Sequence, residues 1–400
     1  MTSHPTAQPD SLLRDKTAPH HGRVGFVELF FDLVFVFAIT QLSHHLLHHP
    51  TLEGAAQTLL LLLAVWTVWV YTTWVTNWID CDRGPSRLML FGLMAGGLIV
   101  SASIPEAFEQ RGLIFAIAYA AMQVGRTLFM LYALKDGPAN ERVNFQRIFI
   151  WLTTAAALWI AGGFAEGQAR WGFWIAAILV DLGGPWFKFR VPGMGASSTA
   201  DWSIDPEHMA ERCGLFVIIA LGESIIVTGA TFADLPWSLE VCLAFGSALV
   251  ATVGMWWVYF VLSAEAATEA FAHHKDPGAV ARAAYTFGHL PIVAGIIVTA
   301  VSDELVLAHP LGHISAVALA VTLIGPAIFL AGAGLFCWLV FAEPPVSPAI
   351  GMLLLAGLWL LSPNLPPIGL SIGSTAVIVF VAIWESIAQR REQTAARIAA

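Results

Sequence analysis

Two carboxylates interrupt the first long apolar stretch of the chain. Glu28 and Asp32 lie within residues 23–43, a hydrophobic run long enough to cross a bilayer. Because they are four residues apart, a helix places both on the same face. Ionisable groups at membrane depth are costly and usually face a protein interior or a water-filled path. The pair could bind a cation or hand on a proton, or it could pair with a buried arginine that holds the helix in place.

A buried acid needs a counter-charge in either case. Arg126 lies in the middle of a later apolar segment and is the expected partner of the two acids. Arg23 and Arg87 lie closer to the ends of apolar segments, and we expect them to act as structural charge partners nearer the membrane surface.

A second acidic centre is predicted around Glu223. This residue falls near the middle of a later hydrophobic segment, between Gly222 and Ser224. Glycine permits close helix contact or local unwinding, and Ser224 adds a hydroxyl group at the same depth. An ion or proton site is the functional hypothesis, and a structural hydrogen-bonding group is the alternative.

Three further polar residues could line an inner path. Asn77 and Asp80 are about one helical turn apart where the second apolar segment ends, although a helix end followed by a charged turn explains them as well. Asp181 precedes the helix-breaking run 183–185, Gly-Gly-Pro. Such breaks line cavities in transporters, but they also simply end helices.

Four histidines mark the end of the first apolar segment. His44, His45, His48 and His49 form two i,i+4 pairs, the spacing by which a helix presents two imidazoles to one metal ion. The run contains no carboxylate or cysteine as a third ligand. A weak metal or pH-sensing patch and a solvated helix end therefore both remain open.

Composition assigns the chain to the polytopic membrane proteins. Of its 400 residues, 57% are hydrophobic and 12% are charged, against roughly 25% charged residues in globular proteins. The net charge of −9 is spread thinly, which gives no support to nucleic-acid binding. The four cysteines lack CxxC spacing and no enzyme motif is present, so we expect no cofactor and no enzymatic activity. Residues 1–22 lack the features of a signal peptide.

Twelve hydrophobic segments have the length of membrane-spanning helices, so the predicted fold is an all-α polytopic transmembrane bundle. The segments cover residues 25–46, 55–78, 88–104, 112–134, 147–163, 171–188, 211–230, 237–262, 283–301, 314–341, 347–362 and 367–387. With the N-terminus inside, sixteen of the 19 lysines and arginines fall on the cytoplasmic side, two fall outside and Arg126 lies within a span. This distribution follows the positive-inside rule and predicts that both termini are cytoplasmic.

The two halves of the chain share short sequence features. The run 69–71, Trp-Val-Tyr, recurs at 257–259, and six helices in each half would give a parallel 6+6 repeat of the kind found in transporters. The predicted organisation is a polar cytoplasmic tail (1–22), a first six-helix half (23–190), a cytoplasmic linker (191–210), a second six-helix half (211–388) and a basic cytoplasmic tail (389–400).

Three motifs resemble the bacterial low temperature requirement protein A family. They are residues 27–42, which contain Glu28 and Asp32, the tryptophan-rich segment that ends at Asp80, and residues 211–225. The resemblance implies a multi-pass protein of the bacterial plasma (inner) membrane, and it bears on fold and location more than on function. Through these motifs Gln41 and Glu211 join the predicted path residues, and Arg212 joins the predicted structural charge partners.

Two weaker likenesses concern transport proteins. The lysosomal potassium channel family is similar in its 6+6 helices and in an arginine and a Phe-Ser-Asp motif in each first helix. Arg23, Phe31 and Asp32 match that pattern, but the serine is missing. The charged loop at residues 82–87 is similar to a loop of the major facilitator fold, with irregular spacing.

The sequence therefore predicts a carrier or channel that is coupled to an ion or a proton. Glu28, Asp32 and Glu223 would lie along a polar path between the halves, with Arg126 as counter-charge. The alternative is a non-transporting protein, either a stress-adaptation or lipid-interacting protein or an intramembrane lipid enzyme. The lipid bilayer is the expected partner, while the small-molecule substrate and a homo-oligomeric state stay open.

Overall fold

The computed structural model describes residues 11–14, 23–198, 202, 204–260 and 265–399, which form α-helices joined by short turns. The helices are α1 (Phe26–His48), α2 (Leu52–Trp78), α3 (Gly84–Ser103), α4 (Gly112–Ala133), α5 (Ala139–Phe164), α6 (Gly167–Trp186), α7 (Pro206–Asp234), α8 (Leu239–Tyr259), α9 (Glu265–Ala272), α10 (Pro277–Val280), α11 (His289–Ala308), α12 (Ala316–Phe341), α13 (Val346–Leu361) and α14 (Pro367–Ala399). Two 3-10 turns, Ile104–Glu106 and Ser362–Asn364, and a π-helix, Ala281–Gly288, accompany them. In these residues β-pairing is limited to two isolated bridges, Leu13 with Ile79 and Val191 with Gly195.

The predicted all-α polytopic membrane bundle is confirmed. Within the described chain, eleven helical segments are long and apolar enough to cross a bilayer. Helices suit this environment because they satisfy their own backbone hydrogen bonds where no water is present. The predicted sixth span is also helical, as α6, but Arg170, Asp181 and several tryptophans make it more polar than the eleven. The total of twelve spans and the 6+6 repeat stay predictions.

Hydroxyl side chains begin three of the long helices. Thr51, Ser238 and Ser315 have extended backbone just before α2, α8 and α12, and each side-chain oxygen accepts the N–H three residues later. Such an N-cap satisfies one of the N–H groups that the first helical turn leaves without a partner.

Three helices extend beyond the predicted spans into polar sequence. α5 begins at Ala139, α7 begins at Pro206 and α14 continues to Ala399. Hydropathy marks only the apolar part of a helix, whereas backbone hydrogen bonding continues through polar turns. α7 therefore includes part of the predicted linker, and α14 includes most of the predicted C-terminal tail. Most of the predicted N-terminal tail and part of the linker lie outside the described residues.

The chain divides into two compact units. Among the described residues, the first unit comprises those up to His45 together with Thr51–Arg212 and Asp276–Ala279, and the second comprises Leu46–Pro50, Cys213–Lys275 and the residues from Val280 onward. One boundary falls inside α7, between Arg212 and Cys213. The halves predicted at 23–190 and 211–388 stay a prediction.

Aromatic rings fill the core of the first unit where α4, α5 and α6 meet. Phe115, Tyr119, Trp159 and Trp174 are completely buried, and their contacting ring centroids lie 4.8 to 6.3 Å apart. Gly162 makes room for this packing, because a Cβ at that position would overlap the indole ring of Trp174. Large rings at these separations contribute both buried area and edge-to-face attraction.

In the second unit α11 and α12 approach closely because glycines lie between them. A Cβ at Gly295 would clash with the backbone nitrogen of Phe329, and a Cβ at Gly332 would lie 2.6 Å from the backbone nitrogen of Ile292. Small residues let helix backbones come together in a membrane, where dispersion contacts replace the hydrophobic effect as the force between helices.

The span that contains α11 starts with an irregular segment where the sequence predicts one continuous helix. α10 is followed directly by the π-helix and then by α11. Pro291 lacks an N–H and its ring crowds the carbonyl four residues earlier, so the preceding turns widen. His289 occupies the widened region, where its Nδ1 donates to the Ala284 carbonyl at 3.0 Å and its Nε2 accepts from the Tyr259 hydroxyl at 2.8 Å.

Replacing Gly295 by alanine is expected to destabilise the protein, because the new Cβ would meet the backbone of Phe329. Overpacking of this kind costs about 1–3 kcal/mol. Thermal unfolding of the purified protein in detergent measures the loss. Gly246→Ala in α8 is the matched control, because a Cβ there meets no described atom within 4 Å, and it should leave the unfolding temperature unchanged or slightly raised. Equal losses in the two variants would contradict the close approach of α11 and α12.

Candidate functional site

A buried carboxylate–guanidinium pair lies in the first unit. Asp32 on α1 and Arg212 on α7 are both completely buried. Arg212 Nη1 donates to Asp32 Oδ2 and Nη2 donates to Oδ1, each at 2.8 Å. Two parallel bonds of this kind are among the strongest contacts that a carboxylate makes in a protein. Each charge makes the burial of the other tolerable.

Trp69 on α2 completes the surroundings of Asp32. Its indole nitrogen donates to Oδ1 at 2.9 Å, and its ring centre lies 5.8 Å from the guanidinium carbon of Arg212, within cation–π range. Donors from α2 and α7 therefore hold the Asp32 carboxylate in one orientation.

Glu28, one helical turn earlier on α1, is equally buried but has different partners. Its Oε1 lies 2.9 Å from His208 Nε2 and 4.0 Å from Arg212 Nε. The i,i+4 spacing of Glu28 and Asp32 on α1 thus meets the same spacing of His208 and Arg212 on α7. Because residues four apart lie one above the other on a helix, the two pairs form successive rungs between α1 and α7.

The hydrogen bonds around His208 define its tautomer. Asn77 donates from Nδ2 to the Asp205 carbonyl at 2.9 Å and accepts the Asp205 N–H at Oδ1 at 2.8 Å, so the backbone sets the orientation of the amide. The same Nδ2 lies 3.2 Å from His208 Nδ1, which must then be the acceptor. His208 Nε2 therefore carries the proton and donates a hydrogen bond to Glu28 Oε1 at 2.9 Å. Arg14 Nη2 lies 3.2 Å from the same nitrogen, but both atoms are donors in this tautomer, so this approach is not a hydrogen bond.

A short N-terminal segment covers these charges. The Arg14 N–H donates to the Trp78 carbonyl at 2.8 Å, and the Leu12 carbonyl accepts the Asp80 N–H at 2.9 Å. The Arg14 guanidinium, 12% exposed, donates to the Thr76 carbonyl and lies 3.5 Å from Glu28 Oε2. We call residues 12–14 the N-terminal strap, and this strap pairs with residues 78–80.

Arg14, Glu28, Asp32, His208 and Arg212 together form what we call the charge cluster. Two carboxylates face two guanidinium groups and His208 is neutral in the tautomer above, so the formal charges cancel. Arg212 Nε is buried and has no hydrogen-bond partner among the described residues. A proton or cation added to the cluster would leave a net positive charge unless an arginine contact changed at the same time.

A second buried network in the first unit, which we call the Asp181 chain, runs from α6 to α4. Asp181 Oδ2 accepts from the Tyr119 hydroxyl at 2.7 Å and from the Trp159 indole nitrogen at 2.9 Å. The Tyr119 oxygen accepts from Gln123 Nε2 at 3.0 Å, and the Gln123 oxygen accepts from Arg126. Asp181 Oδ1 is buried without a hydrogen-bond partner in the described part of the chain.

Arg126 does not neutralise the acids of α1 as the sequence predicts. Its Nη1 donates to the Val68 carbonyl at 3.1 Å and to the Thr72 hydroxyl at 3.0 Å, both on α2. Arg212 already engages both oxygens of Asp32. Sequence position indicates the depth of an arginine in the membrane but not which neighbouring helix it faces, and that is why the expected partner is corrected.

Helix α2 connects the two networks. The positions that make these contacts are Val68, Trp69, Tyr71, Thr72 and Asn77. Tyr71 joins the Asp181 chain by donating to the Asp181 carbonyl at 2.7 Å. From Val68 to Asn77 the helix rises about 14 Å. One helix therefore links buried ionisable residues of α1, α4, α6 and α7 over close to half the thickness of a hydrocarbon core, which is about 30 Å.

Two predicted residues form surface pairs next to this network. Asp80 lies 3.2 Å from Arg83, and Arg87 lies 3.0 Å from Asp82. All four side chains are more than a third exposed. This arrangement is the charged turn that the sequence offered as the alternative to a path site.

The remaining predicted residues of the first unit lie outside both networks. Arg23 and Glu211 are exposed, and Glu211 Oε2 accepts the Val24 N–H at 3.0 Å. Gln41 is half-buried on α1.

Glu223 and Ser224 lie in the part of α7 that belongs to the second unit. Both are buried, with 3% and 2% exposure. The structure thus places both side chains away from solvent, while their part in an ion path stays a prediction.

The histidine run at the end of α1 is spread over different environments. His45 is buried and its Nε2 lies 3.2 Å from Gln57 Oε1, whereas His48 and His49 are exposed and His44 is half-buried. Across the described residues, no group of three or more His, Cys, Asp or Glu side chains has the arrangement of a metal site.

Sequence reasoning missed the role of His208. The residue falls in the predicted linker, outside every apolar segment, so hydropathy gives it no weight. A signal was nevertheless present, because His208 and Arg212 repeat the i,i+4 spacing of Glu28 and Asp32, and both can donate hydrogen bonds to carboxylates. Arg14 lacked even that signal, since it lies in a polar segment far from its partners in sequence.

Cys81 follows residues 78–80, which pair with the N-terminal strap, and it is buried beside the charge cluster. Burial, together with the negative charge of Glu28, raises the pKa of the Cys81 thiol well above its usual range. The thiolate is the reactive form of cysteine, so this thiol is expected to be inert at neutral pH.

Membrane-length apolar helices that bury ion pairs define an integral, multi-pass membrane protein with a polar interior. The family model for the bacterial low temperature requirement A protein (LtrA) matches residues 23–383, and this chain belongs to that family. The chain is also similar to an uncharacterized protein of Rhizobium meliloti (strain 1021), with 42% identity over 374 residues that cover 92% of this chain and 90% of the relative. No solved structure matches the chain.

Arg212→Ala is expected to destabilise the protein by about 3–5 kcal/mol, because it leaves the Asp32 charge buried without its partner. Arg87→Ala is the control at an exposed pair, where the cost is about 0–1 kcal/mol. Denaturant unfolding of the purified proteins measures both losses. Adding Asp32→Asn to Arg212→Ala should recover part of the stability, since it removes the orphaned charge. An Arg212→Ala protein as stable as the Arg87→Ala protein would contradict the importance of this pair.

Maleimide labelling of Cys81 should stay slow at pH values where an ordinary cysteine, with a pKa of about 8.5, is already ionised. Its raised pKa keeps the thiol protonated, and the rate should increase only at higher pH. Peptide-resolved mass spectrometry of the folded protein measures the rate, with the exposed Cys242 as an internal reference. Denaturation should bring the two rates together. Equal labelling in the folded protein would show that Cys81 is accessible to solvent.

Proposed function

We propose that this LtrA-family protein is a transporter or channel for a small ion, coupled to or conducting protons, and that it catalyses no chemical reaction. The observation that carries the proposal is the set of buried ionisable and hydrogen-bonding side chains that α2 joins within the first unit. Ionisable residues at membrane depth are expensive to bury and characteristically mark ion pathways and proton relays.

Glu28 is the exchangeable member of the charge cluster. Asp32 is fixed by a bidentate pair at 2.8 Å, whereas Glu28 accepts one bond from a neutral histidine and one from the Gly25 N–H, and it lies 3.5 Å from Arg14. Arg14 is attached through the N-terminal strap and is partly exposed. If the strap withdraws, Glu28 loses its nearest full positive charge, and a proton or a cation can take that place.

Asp181 is the second exchangeable acid in this proposal. Its Oδ1 makes no hydrogen bond to a described residue, so this oxygen can accept a proton without breaking an existing contact. Arg126 is connected to Asp181 by hydrogen bonds through Gln123 and Tyr119. It therefore supplies a positive charge without forming a direct ion pair with Asp181. Glu223 and Ser224 remain the proposed ion ligands of the second unit.

The charge distribution supports an orientation for the chain. Lysines and arginines concentrate on the side that holds both termini in the predicted topology, which corresponds to the cytoplasm of a bacterial cell. In that orientation the strap and the charge cluster lie at the cytoplasmic end of α1, in the inner membrane.

A groove between α3 and α4 favours a second candidate, a non-transporting lipid-interacting protein. Its volume is about 860 Å³, and Arg126 is the charged residue among its otherwise apolar lining. Gly92 and Gly125 line it, and the space beside them is open, since a Cβ at either position meets no described atom within 4 Å. A lipid acyl chain suits the apolar character of such a groove.

In proteoliposomes loaded with pH- and cation-sensitive dyes, the wild-type protein should move H+, Na+ or K+. Glu28→Gln, Asp181→Asn and Glu223→Gln should each lower that flux about tenfold or more, because each removes a group that can exchange a proton or bind a cation. Asp82→Asn, at a surface pair, is the matched control and should keep the wild-type flux.

Size-exclusion profiles and unfolding temperatures establish which variants are folded before their flux is compared. Folded Glu28→Gln, Asp181→Asn and Glu223→Gln proteins with wild-type flux would contradict the coupling. A wild-type protein that moves none of the three ions but retains bound lipid through purification would favour the lipid-interacting alternative.

A further inference from the structure

A layer of polar side chains lies next to an apolar cluster in the second unit. The cluster consists of Val241 and Ala244 from α8, Val306 and Leu307 from α11, and Ile368 from α14. These contacts set the register of the three helices. About one helical turn from the cluster, the helices carry Ser247, Asp303 and Ser371, respectively.

Helical geometry brings these three polar residues together. Each lies three or four residues from a cluster member of its own helix, so it shares the face of that member. The cluster members lie in the first turns of α8 and α14 and in the last turn of α11. The step from the cluster to the polar residue therefore leads from the helix end toward the helix middle in all three helices.

Hydroxyl groups crowd this layer. Ser247 Oγ lies 3.0 Å from both Ser371 Oγ and Thr375 Oγ1, and Ser302 Oγ lies 2.7 Å from Thr322 Oγ1 on α12. All five residues are buried. In each of these contacts either oxygen could be the donor, so the hydroxyl groups can turn their lone pairs toward a cation.

Asp303 is the acid of this layer. It is 5% exposed, and its buried Oδ2 has no hydrogen-bond partner among the described residues. Sequence reasoning did not single it out, because it lies just beyond the predicted ninth span. Its shared face with Val306 and Leu307 directs the carboxyl group toward α8 and α14.

The described elements around the buried carboxyl group bring no lysine or arginine to it. Glu304 follows it on α11 and is half-buried, and Glu240 and Asp234 lie at the nearby ends of α8 and α7. His309 is exposed beyond the end of α11. α12 and α13 contain no charged residue, and α14 has none before Glu385.

An ionised carboxylate in this position is strongly unfavourable without a counter-ion. A proton removes the charge outright. A Na+ ion neutralises it as well, and it is a hard cation that prefers the carboxylate and hydroxyl oxygens present here.

We propose that Asp303, with the hydroxyl groups of Ser247, Ser371 and Thr375, forms a binding site for a small monovalent cation, H+ or Na+, in the second unit. Binding at this site does not require transport, and it involves none of the residues assigned to the charge cluster or the Asp181 chain. A failed flux assay and a failed binding assay are therefore distinguishable outcomes.

The test uses the purified full-length protein in detergent at constant ionic strength, with choline chloride replacing NaCl. In the Na+ arm, the wild type shows saturable binding of radioactive Na+ and a higher unfolding temperature in NaCl. Asp303→Asn should weaken that binding about tenfold or more, which corresponds to about 1.4 kcal/mol or more. In the proton arm, infrared difference spectra in Na+-free buffer show the C=O band of a protonated carboxyl group. This band disappears in Asp303→Asn and fades with rising pH in the wild type.

Glu304→Gln is the matched control, because it removes the neighbouring, half-buried carboxylate and should behave as wild type in both arms. If Asp303→Asn does not fold, Ser371→Ala keeps the carboxyl group and should still weaken Na+ binding or shift the carboxyl band. A loss in either arm that is specific to the site supports the proposal and identifies the ion. Wild-type behaviour of folded Asp303→Asn or Ser371→Ala in both arms would overturn it.

Discussion

The bidentate pair of Asp32 and Arg212 is the interaction on which the first unit depends. In a medium without water neither charge can be buried alone, so the positions of α1 and the first turns of α7 are tied to each other. Trp69 brings α2 into the same arrangement. α2 also contacts Arg126 and Asp181. The same helix therefore helps to position both the charge cluster and the Asp181 chain.

The two rungs between α1 and α7 differ in a way that suggests different roles. The Asp32 pair makes two bonds of equal length and is fully buried, so its main role is to hold α1 against α7. The Glu28 rung combines a neutral histidine with an arginine on a short strap that is partly exposed, so its contacts can change with less loss. A fixed pair beside an adjustable one is an arrangement that allows a protein to bind and release an ion without losing its fold.

The two units stabilise their interiors by different means. The first buries formal charges and compensates them with ion pairs, tryptophans and a tyrosine. The second brings backbones together at glycines such as Gly295 and Gly332, and it fills its polar positions mainly with serine and threonine hydroxyl groups. Asp303 departs from that pattern, since it adds a buried carboxyl group without a lysine or arginine nearby in the described elements, and this departure is the basis for the cation site proposed above.

The amino-acid sequence by itself determined the class of the fold, most of the helix positions and the family. Apolar length, capping hydroxyl groups and motif spacing are local properties, and they can be seen in a linear chain. It also indicated that Glu28, Asp32 and Asp181 lie within long apolar segments. Only the tertiary structure decided their partners, assigning Arg212 to Asp32, His208 to Glu28 and α2 to Arg126. The rotation of each helix about its axis and the choice of its neighbours depend on packing across the whole unit. The contacts that carry this information join residues 54 to 180 positions apart.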